Sequence, residues 1–120
     1  MKVAVTSVGD TLDSAVDPRF GRAATFVLVD TDSGEFEAVD NAQNLHAAQG
    51  AGIQAAQTVA RHSVEYVITG HCGPKAYRAL DAAGIKVALV ADGTVAEAIE
   101  KLKAGEIRPS QGADVEGHWA

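Results

Sequence analysis

Residues 65–91 read EYVITGHCGPKAYRALDAAGIKVALVA. Two apolar runs of strand length, EYVITG (65–70) and KVALVA (86–91), bracket one amphipathic helix over about 74–83. In that helix Ala76, Ala79, Leu80 and Ala83 keep the i, i+3, i+4, i+7 spacing of a single face. Pro74 suits the first helical position and Gly84 suits the stop. A strand–helix–strand of this length is a crossover, so its two strands run parallel. This unit makes the chain an α/β protein.

Working outward, KVAVTSV (2–8) and ATFVLVDT (24–31) are rich in β-formers with little alternation, as strands buried on both faces are. DSG at 32–34 is a turn signal. EFEAVD (35–40) alternates, with Phe36 and Ala38 on one face and Glu35 and Glu37 on the other. These last two strands predict a hairpin whose second arm is a sheet edge. A helix is expected over about 48–62, with Ile53, Ala56 and Ala60 forming its apolar stripe opposite Gln54, Thr58 and Arg61. A further helix begins at a Thr94/Glu97 capping box, carries Val95, Ala98, Ile99 and Leu102, and ends at Gly105.

The order is β-β-β-α-β-α-β-α. The simplest arrangement is a single-domain, five-stranded mixed sheet of order 3-2-1-4-5, with strand 2 antiparallel. The domain is expected to span 1–105. The polar tail 106–120 carries Pro109 and two glycines and is expected to be flexible, with Trp119 able to dock.

Composition narrows the function. The formal net charge is −6 at pH 7 with no basic run, which argues against a nucleic-acid partner. Arg19, Arg22, Lys75 and Arg78 are still able to make one small positive site on an acidic body. One cysteine in the chain rules out an internal disulfide and a four-thiolate metal site. MKVAVTSVGD at the start reads as a strand rather than a signal peptide, and no apolar stretch approaches the ~20 residues of a membrane span. A soluble, cytoplasmic monomer is expected.

Open α/β sheets bind ligands at the carboxyl ends of their strands, where the connections diverge. Here that point lies between strands 1 and 4. Strand 1 leads into GDTLDSAVDPRFGRA (9–23), strand 4 into GHCGP (70–74) and strand 5 into Asp92-Gly93-Thr94, and all three are expected to meet over one crevice. The first loop is long, at about 15 residues against a usual median of ~4–6. Its Arg19, Phe20, Gly21 and Arg22 have two readings. Either an arginine pairs with Asp13 or Asp17 while Phe20 caps the core, or the loop supplies positive charge to a site. The second loop ends at a helix N-terminus, where free N–H groups attract anions, glycines admit close approach, and Lys75 adds a cation. Gly70 and Gly73 also suit a plain strand end and N-cap.

Cys72 has three readings. HCGPKAYR has the H-C-x5-R spacing of cysteine phosphatases, in which a thiolate attacks phosphorus within a ring of N–H groups. Pro74 lacks an N–H and breaks that ring, and Lys75 and Ala79 replace the usual small and hydroxyl residues. Alternatively His71 and Cys72, joined by His46 from the loop before the first helix, ligate a soft metal such as copper(I) or a sulfide cluster. In the third reading Cys72 packs as a small apolar residue. A magnesium nuclease would need converging carboxylates, and strand 1 carries none.

The combination of DPRFGRA after the first strand, an asparagine with a glycine-, alanine- and glutamine-containing helix after the third, VITGHCGPKAYRAL and GIKV resembles the nitrogenase iron–molybdenum cofactor biosynthesis family of NifX/NifB type, over residues 1–105. The resemblance implies a ribonuclease-H-like fold and a non-enzymatic role in binding, carrying or assembling preformed anionic metal–sulfur clusters. The cargo implied is a molybdenum–copper sulfide cluster held noncovalently, as in small acidic stand-alone members. The iron–molybdenum cofactor or its precursor is the alternative, and ATPases of MinD/Mrp type are the implied partners. Carried over by motif, the site is Arg19, Phe20, Gly21, Arg22, His46, Gly70, His71, Cys72 and Gly73, to which the sheet argument adds Gly93. A cluster that brings its own sulfides needs charge, N–H groups and apolar packing rather than four thiolates.

Overall fold

A computed structural model describes residues 1–41 and 51–109. Its strands are β1 (Lys2–Ser7), β2 (Thr25–Asp30), β3 (Phe36–Asp40), β4 (Tyr66–Thr69) and β5 (Lys86–Leu89), and its helices are α1 (Ala51–Arg61), α2 (Pro74–Ala82) and α3 (Val95–Lys103). The sheet order is β3-β2-β1-β4-β5, as the strand–helix pattern requires. β1 pairs in parallel with β4, and β4 with β5, while β2 is antiparallel to both β1 and β3. None of the described helices is long and apolar enough to cross a membrane.

The sheet separates two cores. On one face Ala4, Phe26, Leu28, Val67 and Val87 meet Ala55 and Val59 of α1 and Ala76 and Leu80 of α2. On the other, Val3, Val5, Val27, Ile68 and Ala88 meet Val95, Ala98 and Ile99 of α3. Each buried Val or Leu contributes about 1.5–3 kcal/mol. Burial on both faces explains why β1 shows so little alternation in sequence. Edge strand β3 is mostly exposed. Only Val39 turns partly into the α1/α2 core, and Phe36 is exposed on the other face.

The buried stripe of α1 differs from the one expected. Ala51, Ala55, Ala56 and Val59 face inward, whereas Ile53 and Ala60 are exposed. The reason is close packing. A Cβ on Gly52 would lie 2.9 Å from the Cβ of Ala76, so α1 meets α2 through residues too small to hold an isoleucine between them. α3 follows its pattern, and so does α2 up to Leu80, while Ala83, expected on the same face, is exposed because the helix ends before it. Ala76 and Leu80 of α2 are buried with Arg78 exposed, and the Thr94/Glu97 capping box is formed in full. After α3, Ile107 packs partly against the α3-side core and Pro109 pairs with Ala88 of β5. The rest of the tail, with Trp119, and the loop holding His46 lie outside the described residues.

Candidate functional site

β1 and β4 end side by side, and a buried polar latch joins them. Thr6 Oγ1 lies 2.9 Å from Thr69 Oγ1 and donates to the carbonyl of Asp17 at 2.7 Å, while the Asp17 N–H donates to the Thr6 carbonyl at 2.9 Å. The long loop is thereby pulled back across the sheet's end. Arg19 then pairs with His71 as an isolated parallel bridge, and the Phe20 N–H donates to the His71 carbonyl at 3.3 Å. Phe20 is 2% exposed and its ring sits 5.7 Å from that of Phe26, so it caps the core as one sequence reading held.

Beyond this crossing lies a cavity of about 480 Å³. Arg19, Phe20, Gly21 and Arg22 form one wall, Ala51 and Gly52 of α1 another, and His71, Gly73, Pro74, Lys75 and Ala76 the third. Among the described residues its cationic side chains are Arg19, Arg22 and Lys75, and no carboxylate lines it. The start of α2 also faces it. Gly73 is the N-cap, no side chain caps the helix, and Pro74 has no N–H to offer. The first-turn N–H groups of Lys75 and Ala76 thus point their partial positive charge toward the same space. The walls are close because their backbones touch. A Cβ on Gly21 would stand 2.8 Å from the Gly52 nitrogen. A small apolar floor under a cationic rim suits a compact anion of low hydration better than a sugar or a polar metabolite.

Six of the residues expected from sequence therefore come together: Arg19, Phe20, Gly21, Arg22, His71 and Gly73. Gly70 lies beneath the crossing rather than at the wall. Cys72 is 2% exposed, belongs to the α1/α2 core and does not line the cavity; its Sγ lies 3.8 Å from the Gly73 carbonyl. Among the described residues no group of three or more histidines, cysteines and acids is placed to hold a metal ion.

Gly93 also lies elsewhere, so the three loops do not share one crevice. α3 packs on the opposite face of the sheet, and the first loop plugs its N-terminus. Val95 and Ala96 donate to the carbonyls of Ser14 and Leu12, both at 2.9 Å, and Val16 donates to the Gly93 carbonyl at 2.9 Å. Gly93 itself has φ 106°, and its neighbour Thr94 completes the capping box. Ala51 and Gly52 were not singled out from sequence. A glycine beside an alanine in a helix carries no chemical signal, and only the contact with Gly21 gives it a role.

Known structures share this architecture. The apo form of the orange protein from Desulfovibrio gigas superposes with a TM-score of 0.93 at 43% identity, covering 95% of this chain and 96% of that one. A putative NifB protein from Thermotoga gives a TM-score of 0.84 at 39% identity over 97% and 98% of the two chains. An uncharacterized protein of Methanocaldococcus jannaschii is 26% identical over 110 residues, 89% of this chain and 93% of that protein. The family model described as dinitrogenase iron-molybdenum cofactor matches residues 1–105, the α/β core traced above, and the chain belongs to that family.

Proposed function

We propose that this chain binds and carries a preformed anionic metal–sulfur cluster, a molybdenum–copper sulfide cluster in the first instance, in the cavity between the Arg19–Arg22 loop and the start of α2. Family membership and likeness to the orange protein support a role in metal-cluster carriage or biosynthesis. The observation that carries the reading is electrostatic. A chain of net charge −6 gathers Arg19, Arg22 and Lys75 around an apolar-floored cavity with no carboxylate in its lining among the described residues. Charge-assisted hydrogen bonds to an anion contribute about 1.5–3 kcal/mol each. A cluster with its own sulfides asks nothing of Cys72, which is buried away from the cavity. Phe20 and Pro74 shield such a cargo from water while the cations balance its charge.

The test is uptake. Purified protein mixed with tetrathiomolybdate and a copper salt is expected to emerge from gel filtration with visible absorption attached to the protein peak. Absorption confined to the small-molecule fraction ends the proposal. Elemental analysis of protein from its native host separates the cargoes: molybdenum with copper supports the first choice, molybdenum with iron the iron–molybdenum cofactor or its precursor. The reading places the protein in the cytoplasm as a monomer, handing cargo to or from an ATPase of MinD/Mrp type. A Cys72-dependent phosphatase is disfavoured by the burial of the thiol and by Pro74. Turnover of p-nitrophenyl phosphate that Cys72→Ser abolishes would revive it.

A further inference from the structure

We infer that Asp17 is a positioning residue for the cargo site, holding the Arg19 guanidinium at the cavity wall in one orientation. Asp17 is 3% exposed, and its carboxylate is aimed at a single neighbour. Oδ1 accepts from the Arg19 backbone N–H at 2.9 Å and from Nε at 3.3 Å, and Oδ2 accepts from Nη2 at 3.5 Å. Arg19 is meanwhile 62% exposed along its side chain. An exposed arginine ordinarily samples many rotamers and gives up that freedom when a ligand fixes it. Here two side-chain contacts to one buried carboxylate, itself held to the Arg19 backbone N–H, fix it beforehand.

The carboxylate is itself held. The latch from Thr69 through Thr6 grips the Asp17 backbone on both its N–H and its carbonyl. The side-chain fork uses Nε and Nη2, and Nη1 has no partner among the described residues, so one face of the guanidinium stays available at the cavity. Asp17 does not line the cavity. Its negative charge opposes an anionic cargo, so a role through simple Coulomb attraction is ruled out by sign. What it supplies is order.

That opposition of sign makes the inference testable. It rests on the cluster-binding reading, and one readout does not need it. Asp17→Asn removes a negative charge beside the site, so electrostatics alone predict tighter uptake of the tetrathiomolybdate–copper probe. Positioning predicts the reverse, about tenfold weaker uptake, with no further loss from Asp17→Asn in an Arg19→Ala background. The independent readout is ¹⁵N relaxation of Arg19 Nε in cluster-free protein, expected to be ordered in the wild type and mobile in Asp17→Asn. Equal order in both proteins, or uptake by Asp17→Asn as tight as wild type, overturns the inference. If wild-type protein takes up no cluster yet Arg19 loosens in Asp17→Asn, the cargo reading falls and the ordering of Arg19 by Asp17 stands. Should Asp17→Asn fail to fold, Arg19→Lys keeps the charge but loses the fork. It is expected to weaken uptake about tenfold, and unchanged uptake overturns the inference.

Discussion

Gly70 passes so close to Pro18 that a Cβ on it would stand 2.6 Å from the Pro18 Cα and 2.9 Å from the Pro18 carbonyl oxygen. The contact is backbone against backbone, so no side chain can swing aside to relieve it. It lets the returning loop cross the end of β4 and set Arg19 beside His71. Gly70→Ala is therefore expected to cost about 1–3 kcal/mol, as overpacking in a tight interior does. It should also displace the Arg19–Arg22 wall. Urea unfolding measures the first effect and cluster uptake the second. A variant as stable as wild type would mean that the crossing relaxes freely.

The cations and the thiol make opposed predictions. Arg19→Ala combined with Arg22→Ala removes two charges from the cavity wall and is expected to weaken uptake by at least about tenfold, given about 1.5–3 kcal/mol for each charge-assisted contact. Cys72→Ser buries a hydroxyl in place of a thiol within the α1/α2 core, so its cost falls on stability, about 1–3 kcal/mol, and uptake stays near wild type. Titration with the tetrathiomolybdate–copper probe ranks the two. If Cys72→Ser were the more damaging to binding, the thiol would be a ligand and the noncovalent picture would fail.

Thr94→Ala tests whether α3 stands apart from the site. Thr94 Oγ1 accepts from the Glu97 N–H at 3.2 Å, and the Glu97 carboxylate accepts from the Thr94 N–H at 2.8 Å. Losing the cap is expected to lower stability by about 1 kcal/mol. Uptake should not change, because the N-terminus of α3 is closed by Leu12 and Ser14 on the far side of the sheet. A drop in affinity beyond the drop in stability would return Gly93 and Thr94 to the site.

Asp30 offers a pH test of the β2–β3 turn. Its carboxylate accepts from the N–H groups of Asp32 at 2.8 Å and Ser33 at 3.3 Å, and these bonds hold its pKa below the ordinary 3.8. A depressed carboxylate stabilises the fold above its unfolded pKa and loses that contribution as pH falls through the folded value. The amide resonances of Asp32 and Ser33 should therefore shift together on acidification with a midpoint below 3.8. A midpoint above 3.8 would contradict the turn geometry.

Strand order was legible because the end signals of the decisive connections are local chemistry. The DSG turn closes one hairpin, and Pro74 and Gly84 bracket the helix that makes β4 and β5 parallel. α3 was readable to the residue because its cap is built from side chains three positions apart. The face of α1 was misread for the opposite reason. Isoleucine carries the strongest apolar signal in that helix, yet the neighbouring surface takes up Ala51, Ala55, Ala56 and Val59, with Gly52 against Ala76.

Residues 65–91, by themselves, determined a parallel crossover with a glycine-flanked helix start at its mouth, since hydrophobic period and end signals are properties of adjacent residues. The tertiary structure alone decided what that mouth contains. Sheet faces alternate, so α3 and Gly93 went to the other side, and the turn of the backbone between Gly70 and Pro74 sent Cys72 into the core while leaving His71 outside. Arg19 lies beside His71, and Gly21 meets Gly52, only because the loop crosses β4 where a glycine leaves room. Such contacts join segments about 30 to 60 residues apart along the chain, a distance over which spacing in sequence carries no geometric information.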